Sequence, residues 1–241
     1  MVRDKLFSGP RPDVVDFVFD DSVAEVFPDM IRRSVPGYET IVSLIGCISE
    51  KYAIPASNVY DLGSSLGAST ISMASRIEAG RVSHICIDNS PDMIARCQAN
   101  LEKRLGGSTF QCIEADICEV EITNASIVVM NFSLQFVPPD MRDGVVRRIC
   151  DGMLTGGILI VSEKVNDSDQ DPGGVIAGLH EQFKKANGYS DLEISQKRSA
   201  LENVMILDSA QEHLERLQRC GFSVTRQWFQ ALGFHSFIAL K

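Results

Sequence analysis

The stretch that decides the fold is Asn58-Val-Tyr-Asp-Leu-Gly-Ser-Ser-Leu-Gly67. Its apolar first half predicts a short strand that ends near Leu62. Its two glycines predict a tight turn, followed by a helix that runs to about Ile77. A strand, a glycine turn and a helix in this order are typical of the first unit of a parallel α/β sheet.

The alternation of strands and helices continues along the chain. Further strands are predicted at residues 83–88, 110–114, 125–132 and 158–162, with helices at 91–105 and 139–151. After a helix near 211–218, residues 222–230 and 234–240 are separated by a short glycine-containing link, which predicts a β-hairpin. We therefore predict an α/β fold with a mostly parallel seven-stranded sheet, an antiparallel C-terminal hairpin and helical cap segments.

The chain is interpreted as a single domain of residues 1–241. Its sheet core comprises residues 56–164 and 208–241. Residues 1–55 form an N-terminal cap with an apolar helix near 39–52, and residues 165–207 form a cap insertion that begins with a polar loop at 166–174. We expect both caps to cover the edge of the sheet where the parallel strands end.

Composition narrows the possible partners. The 241 residues carry a formal net charge of −9, whereas a surface that grips nucleic acid is normally basic, so direct nucleic-acid binding is not expected. No apolar run approaches the roughly 20 residues that span a bilayer, and no apolar segment follows the charged amino terminus, so neither a membrane span nor a signal peptide is predicted.

Cysteine usage indicates a reducing compartment. The seven cysteines are an odd number without a Cys-x-x-Cys pair, so the spacing predicts neither a disulfide framework nor a zinc site. A cytoplasmic protein without a bound metal is expected.

Three features follow three successive strands, where ligands bind in open parallel sheets. They are the glycine turn at 61–67, Asp88, and Asp116 with Ile117. A carboxylate at the second strand end suits two ribose hydroxyls, and one beside an apolar residue at the third suits an adenine. Each feature alone is more commonly a turn or a helix cap, but together they predict an adenosine-containing ligand. The turn lacks both the G-x-G-x-x-G spacing and a Walker-type lysine, which favours S-adenosylmethionine over a dinucleotide or ATP.

These motifs resemble those of class I S-adenosylmethionine-dependent methyltransferases, which have a Rossmann-like fold. Seven further segments are similar to one family of that fold, the carboxy-S-adenosyl-L-methionine synthases: residues 23–30, 33–38, 131–136, 162–164, 183–189, 192–198 and 201–204. Most of them lie in the cap segments, where unrelated methyltransferases differ most. The resemblance therefore extends almost from end to end of the chain.

The resemblance implies a reaction that is not methyl transfer. Members of the family convert S-adenosylmethionine and prephenate into carboxy-S-adenosylmethionine and phenylpyruvate. The product supplies a carboxymethyl group to a partner enzyme that modifies the wobble uridine of tRNA. The resemblance also implies a homodimer.

Ten residues are assigned to the site by the resemblance: Tyr38, Gly63, Ser64, Ser65, Asp88, Asn89, Asp116, Ile117, Asn131 and Arg198. Arg198 is the residue that distinguishes the synthase reaction, because a guanidinium pairs with the new carboxylate and has no use beside a methyl group. Without the surrounding motif it would be read as a solvated helix arginine. Ser64 stands where relatives usually have Cys, and its contacts are expected to come through the backbone. No residue is identified as a general base.

Two alternatives share the adenosine-binding interpretation. One is an ordinary small-molecule methyltransferase, and the other is a non-catalytic S-adenosylmethionine-binding module. His180 and Glu181 are neighbours on a predicted helix and point in different directions, which disfavours a shared proton-transfer role. Lys184, Lys185 and Lys197 suit attraction of the acidic prephenate, although solvated surface charge is the expected role of at least two of them.

Overall fold

A single sheet of seven strands organises the chain, in the order β3-β2-β1-β4-β5-β7-β6. The computed structural model describes residues 2–10, 15–166, 171 and 173–241. The strands are β1 (Ser57–Leu62), β2 (Val82–Asp88), β3 (Thr109–Glu114), β4 (Ala125–Asn131), β5 (Met153–Lys164), β6 (Val224–Ala231) and β7 (Phe234–Leu240). The helices are α1 (Asp21–Ser34), α2 (Tyr38–Tyr52), α3 (Ala68–Ala74), α4 (Pro91–Arg104), α5 (Arg142–Gly152), α6 (Val175–Ala186), α7 (Asp191–Leu201) and α8 (Ala210–Arg219).

Strands β1 to β5 are parallel to one another, whereas β7 pairs antiparallel with both β5 and β6. The predicted parallel sheet with an antiparallel C-terminal hairpin is therefore confirmed. The order reverses between β1 and β4, and a switch of this kind opens a crevice at the carboxyl ends of the strands.

Helices cover both faces of the sheet, which explains why β4 is apolar along almost its whole length. On one face, α5 and α8 pack with Val128 and Phe237 in a buried cluster. On the other face, Ile41 of α2 and Met73 of α3 pack with Ile127. The edge of the sheet at which the parallel strands end is thus supported by a buried apolar cluster on each face.

Local signals in the sequence set most element boundaries. Ser90 caps α4 by accepting a hydrogen bond from the Met93 amide, and Pro91 occupies the first turn of that helix. Strand β5 instead begins at Met153, before the predicted residue 158. Its first part is paired with the chain end, since the Gly156 amide donates to the Lys241 carbonyl. A partner this distant in sequence leaves no local signal.

The two cap segments contact each other above the carboxyl edge. Arg33 of α1 donates to the Asn187 carbonyl at 2.7 Å and stacks on the ring of Tyr189 at 3.8 Å. The Tyr189 hydroxyl donates to the Asp4 carboxylate. Of the polar loop predicted at 166–174, residues 167–170 and 172 lie outside the described residues. No helix in the described part of the chain has the length and apolar character needed to cross a membrane.

Candidate functional site

A cavity of about 1440 Å³ lies between the carboxyl ends of the strands and the cap helices. All ten residues predicted for the site line this cavity: Tyr38, Gly63, Ser64, Ser65, Asp88, Asn89, Asp116, Ile117, Asn131 and Arg198. They come from both caps and from four strand ends, so the fold brings together residues that are far apart in the sequence. Their contacts with a ligand stay predictions.

The turn after β1 needs its glycines. Gly63 has a φ of +76°, and a Cβ at this position would lie 2.4 Å from the Cβ of Ser133. The amides of Gly63 and Ser64 both donate to the Ile87 carbonyl, at 2.8 and 2.9 Å. The turn is therefore held against the end of β2 in a conformation that a larger residue disfavours.

Asp88 at the end of β2 organises the neighbouring backbone. One carboxylate oxygen accepts from the Ser65 amide at 2.8 Å and the other from the Ser90 amide at 3.0 Å. Burial raises the pKa of Asp88, and these two backbone hydrogen bonds oppose that effect. Asp88 lines the cavity, and each of its oxygens can accept a further hydrogen bond.

Asp61, at the start of the glycine turn, has a structural role that the sequence did not predict. It is buried, and its Oδ2 accepts from the Thr70 amide at 3.1 Å and from the Thr70 hydroxyl at 2.7 Å. Burial raises its pKa to about 6. The carboxylate thereby ties the end of β1 to α3.

Asp116 combines the two roles considered for it. Its Oδ1 accepts from the Cys118 amide at 2.8 Å, which caps a turn after β3. The residue is exposed and lines the cavity with half-buried Ile117. A capping role therefore coexists with a position open to a ligand.

Two polar atoms beside the cavity have no protein partner among the described residues. Asn131 donates from Nδ2 to the Ser69 hydroxyl at 3.2 Å, but its buried Oδ1 accepts nothing, and the buried Ser64 Oγ is also without a partner. Buried polar atoms are normally satisfied. A polar ligand in the cavity is one way to satisfy these two.

Tyr38 and His180 remain uncharged near neutral pH. Burial, together with the nearby charge of Asp61, raises the pKa of the Tyr38 phenol well above its ordinary value. Burial lowers the pKa of His180 to about 4, and its Nε2 lies 2.8 Å from the Ser34 carbonyl. Tyr38 is thus a hydrogen-bond donor, and His180 a neutral ring.

A cationic wall, defined as Lys164, Lys184, Lys197 and Arg198, lines the cap side of the cavity. Burial, together with the nearby charges of Lys164 and Arg198, lowers the pKa of Lys184 to about 8. Burial likewise lowers the pKa of Lys197 to about 8. These positive groups repel one another, and an anion bound between them would relieve that repulsion.

The wall corrects one interpretation of the sequence. Only Lys185 of the three lysines considered lies away from the cavity, where it pairs with Asp191 at 2.5 Å. The expectation that at least two would be solvated surface charges is wrong, because α6 and α7 fold their inner faces over the cavity. Lys164 belongs to the similar segment at residues 162–164, to which the sequence assigned no role, and its position at the end of β5 is the signal that marks it.

Glu181 and His180 both line the cavity, yet they have different partners, as their adjacent positions on a helix predicted. The Glu181 carboxylate pairs with Arg198, whereas the His180 ring packs against Phe234 with centroids 5.0 Å apart. The structure brings Arg198 to the site with its guanidinium already held by an acid.

Three of the cysteines form a cluster that their spacing in the sequence does not reveal. All seven cysteines are free, but the Sγ atoms of Cys86, Cys97 and Cys112 lie within 4.8 Å of one another. Spacing along the chain predicted neither a disulfide framework nor a zinc site, and it could not show this cluster, because two strands and a helix bring the three side chains together.

Comparison with known sequences places this geometry in a family. Residues 59–157 match a profile described as a methyltransferase domain. The carboxy-S-adenosyl-L-methionine synthase of Pectobacterium atrosepticum is 49% identical over 239 residues, which cover 99% of this chain and 97% of that one. The chain belongs to the carboxy-S-adenosyl-L-methionine synthase family. The synthase of Yersinia enterocolitica is 48% identical over 99% of this chain and 90% of its own length. The resemblance drawn from the motifs is confirmed.

Solved structures place this member of the synthase family among the methyltransferases by fold. Human N-acetylserotonin methyltransferase, solved with S-adenosylmethionine, aligns with a TM-score of 0.62 at 16% identity over 92% of this chain and 55% of that one. Magnesium protoporphyrin IX methyltransferase of Synechocystis, solved with S-adenosylhomocysteine, gives 0.61 at 14% identity over 88% and 87%. At these identities the likeness concerns the fold alone, and the predicted class I methyltransferase fold is confirmed.

Proposed function

We propose that this chain converts S-adenosylmethionine and prephenate into carboxy-S-adenosylmethionine and phenylpyruvate. The observation that carries the proposal is the make-up of one cavity. Its sheet side presents the carboxylates and the glycine turn predicted for an adenosine, and its cap side presents the cationic wall. The relatives named for this synthase activity match the cap segments as well as the sheet, because the alignment covers 99% of the chain.

The nucleoside would lie along the strand ends. Asp88 would accept hydrogen bonds from the ribose with Asn89 beside it, and Asp116 and Ile117 would hold the adenine. The methionine portion would lie toward Tyr38 and the turn at residues 63–65. The unpartnered Oδ1 of Asn131 and Oγ of Ser64 support a polar ligand at this place.

The acidic substrate would lie toward the cap. Prephenate carries two carboxylates, and the cationic wall offers four positive groups in a chain whose formal net charge is −9. Local cations of this kind receive an anion against the overall field. Arg198 would pair with the carboxylate of the product, for which a planar guanidinium is suited.

The reaction balances without a general base from the protein. Prephenate loses its ring carboxylate as CO₂ and its ring hydroxyl as hydroxide, which leaves phenylpyruvate. The hydroxide takes a proton from the sulfonium methyl to form water, and the resulting ylide carbon bonds to CO₂. Phe19, Phe27 and Phe136 line the cavity, and apolar walls of this kind support a chemistry that must exclude bulk water.

We further propose a homodimer and a single-domain arrangement with caps at 1–55 and 165–207. Val175 and Leu179 of α6 are 57% and 49% exposed, and apolar side chains grouped on a surface helix support a protein contact. The product would be passed to a tRNA-modifying partner, and the acidic charge supports leaving the tRNA to that enzyme. The seven free cysteines support a cytoplasmic setting.

Mass spectrometry of the nucleosides formed on incubation with S-adenosylmethionine and prephenate tests the proposal. We expect a prephenate-dependent species heavier than S-adenosylmethionine by one CO₂, together with phenylpyruvate. Arg198→Ala should retain S-adenosylmethionine but lose its preference for the carboxylated product. Arg96→Ala, which breaks a surface pair with Asp21, is the matched control. Formation of S-adenosylhomocysteine alone would identify an ordinary methyltransferase, and binding without turnover a non-catalytic module.

A further inference from the structure

Three thiols converge next to the glycine turn of residues 61–67. Cys86 lies on β2, Cys97 on α4 and Cys112 on β3, and their Sγ atoms all lie within 4.8 Å of one another. The Sγ atoms of Cys97 and Cys112 are 3.8 Å apart. Cys86 and Cys97 are fully buried, whereas Cys112 is partly exposed.

The sheet register builds this cluster. Cys86 and Cys112 are direct partners in the parallel pairing of β2 with β3, so their side chains leave the same face of the sheet about 4.8 Å apart. Cys97 comes down onto that face from α4, within an otherwise apolar cluster that includes Leu101. Three elements thus supply one sulfur each.

The 3.8 Å between the Cys97 and Cys112 sulfurs matches the coordination of a soft cation, and the third sulfur lies within 4.8 Å of both. Metal–sulfur bonds of about 2.3 Å place sulfurs ~3.8 Å apart in a tetrahedral site and ~4.0 Å apart in a trigonal one. Soft thiolates select zinc or copper(I) over magnesium or calcium. The Thr70 hydroxyl lies 3.1 Å from the Cys86 Sγ and adds one oxygen beside that thiol.

We propose that Cys86, Cys97 and Cys112 bind one thiophilic d¹⁰ cation, zinc(II) or copper(I). The ion enters past the partly exposed Cys112, and the deprotonating thiols release their protons to solvent. The site is separate from the ten residues predicted to contact the nucleoside, none of which is a cysteine.

Occupancy is coupled to the nucleoside site through two contacts. Thr70 touches Cys86 and also donates to Asp61 behind the glycine turn. A Cβ on Gly67 would lie 2.9 Å from the Cys97 Sγ, so the sulfur rests directly against that turn. The bound ion would therefore fasten α4 to β2, which ends at Asp88, and to β3, which ends two residues before Asp116.

Metal titration of the reduced full-length chain tests the site. Zinc is titrated against a chromophoric chelator, copper(I) is titrated separately against a copper(I)-specific chelator, and the melting temperature is followed in both series. We expect one equivalent of at least one ion, a rise in melting temperature, and at least tenfold weaker binding in Cys112→Ser. Cys47→Ser, which alters a partly exposed cysteine outside the cluster, should bind as the unaltered chain does.

The ion that the site takes is the one whose titration gives one equivalent in the unaltered chain and weaker binding in Cys112→Ser. Cys97→Ser, paired with the buried control Cys150→Ser, repeats the test from α4. Circular dichroism confirms that each variant is folded. Failure of both ions to bind, or equal binding by Cys112→Ser and Cys47→Ser, overturns the proposal and leaves the proposed synthase reaction untouched.

Discussion

The guanidinium of Arg198 on α7 is paired with the carboxylate of Glu181 on α6 at the wall of the cavity. The Arg198 side chain is 62% exposed and that of Glu181 is 38% exposed. Ion pairs this open to solvent are weak, typically below about 1 kcal/mol. A carboxylate on a ligand can therefore replace Glu181 as the partner of Arg198 at modest cost. The ligand's affinity is lowered by the free energy of the Arg198–Glu181 pair that it must break.

Removing the charge of Glu181 should tighten binding of the carboxylated product. In Glu181→Gln the guanidinium is released, so we expect a two- to fivefold lower Kd for carboxy-S-adenosylmethionine, consistent with a pair of about 0.5–1 kcal/mol. The Kd for S-adenosylmethionine should not change. Isothermal titration calorimetry of both nucleosides measures the difference, and Glu39→Gln, which breaks the exposed pair with Arg32, is the control. An equal effect on both nucleosides would remove Glu181 from this role.

Asp88→Ala should weaken both binding and folding. The variant leaves the amides of Ser65 and Ser90 without their acceptor, which costs about 1–3 kcal/mol in unfolding free energy. We expect the Kd for S-adenosylmethionine to rise at least tenfold. Urea unfolding and calorimetry separate the two effects, with the exposed Asp140→Ala as the matched loss of a carboxylate. Unchanged affinity in a folded Asp88→Ala protein would contradict the ribose assignment.

Gly63→Ala should be far more costly than an equivalent substitution at Gly80. Both glycines have positive φ, +76° and +78°, but a Cβ on Gly63 meets Ser133 at 2.4 Å whereas one on Gly80 meets nothing within 4 Å. Gly80→Ala should cost about 1–2 kcal/mol for its backbone conformation alone. Gly63→Ala should cost a further ~1–3 kcal/mol for the collision, and Ser133→Gly should restore part of it. Equal losses in chemical denaturation would show that the close approach does not matter.

The reaction should lose efficiency with prephenate at alkaline pH. Lys184 and Lys197 have pKa values lowered to about 8, so both lose their positive charge as pH rises through 8. We expect kcat/KM for prephenate to fall above pH 8, since this ratio reports the free enzyme. Lys184→Arg, which keeps its charge, should make the fall above pH 8 shallower because only Lys197 then loses its charge there, whereas Lys185→Arg should leave the profile unchanged.

The same pKa shifts affect folding in the opposite direction. Between pH 8 and the ordinary lysine pKa of 10.5, the unfolded chain binds more protons at these two positions than the folded chain. Their contribution to stability therefore rises with pH over that range. If the melting temperature falls over the same pH range as kcat/KM, loss of folded protein explains the lower activity, and the electrostatic explanation is contradicted.

The sequence could predict which residues meet at the site only where strand order alone fixes their positions. Gly63, Asp88 and Asp116 follow consecutive strands, and parallel strands must bring their carboxyl ends to one edge. Their convergence was therefore predictable from order alone. The position of Lys184 was not, because a lysine on an amphipathic helix is solvated or buried according to how that helix is docked.

What the sequence determined by itself was the alternation of strands and helices, the glycine turn and the family. These depend on local propensity, hydrophobic period and motif identity, all of which are written in short stretches of chain. Only the tertiary structure decided that Arg198 meets Glu181 and that Cys86 meets Cys112. Such meetings depend on the docking of α6 against α7 and on the register of β2 with β3, which are set by packing between segments distant in sequence.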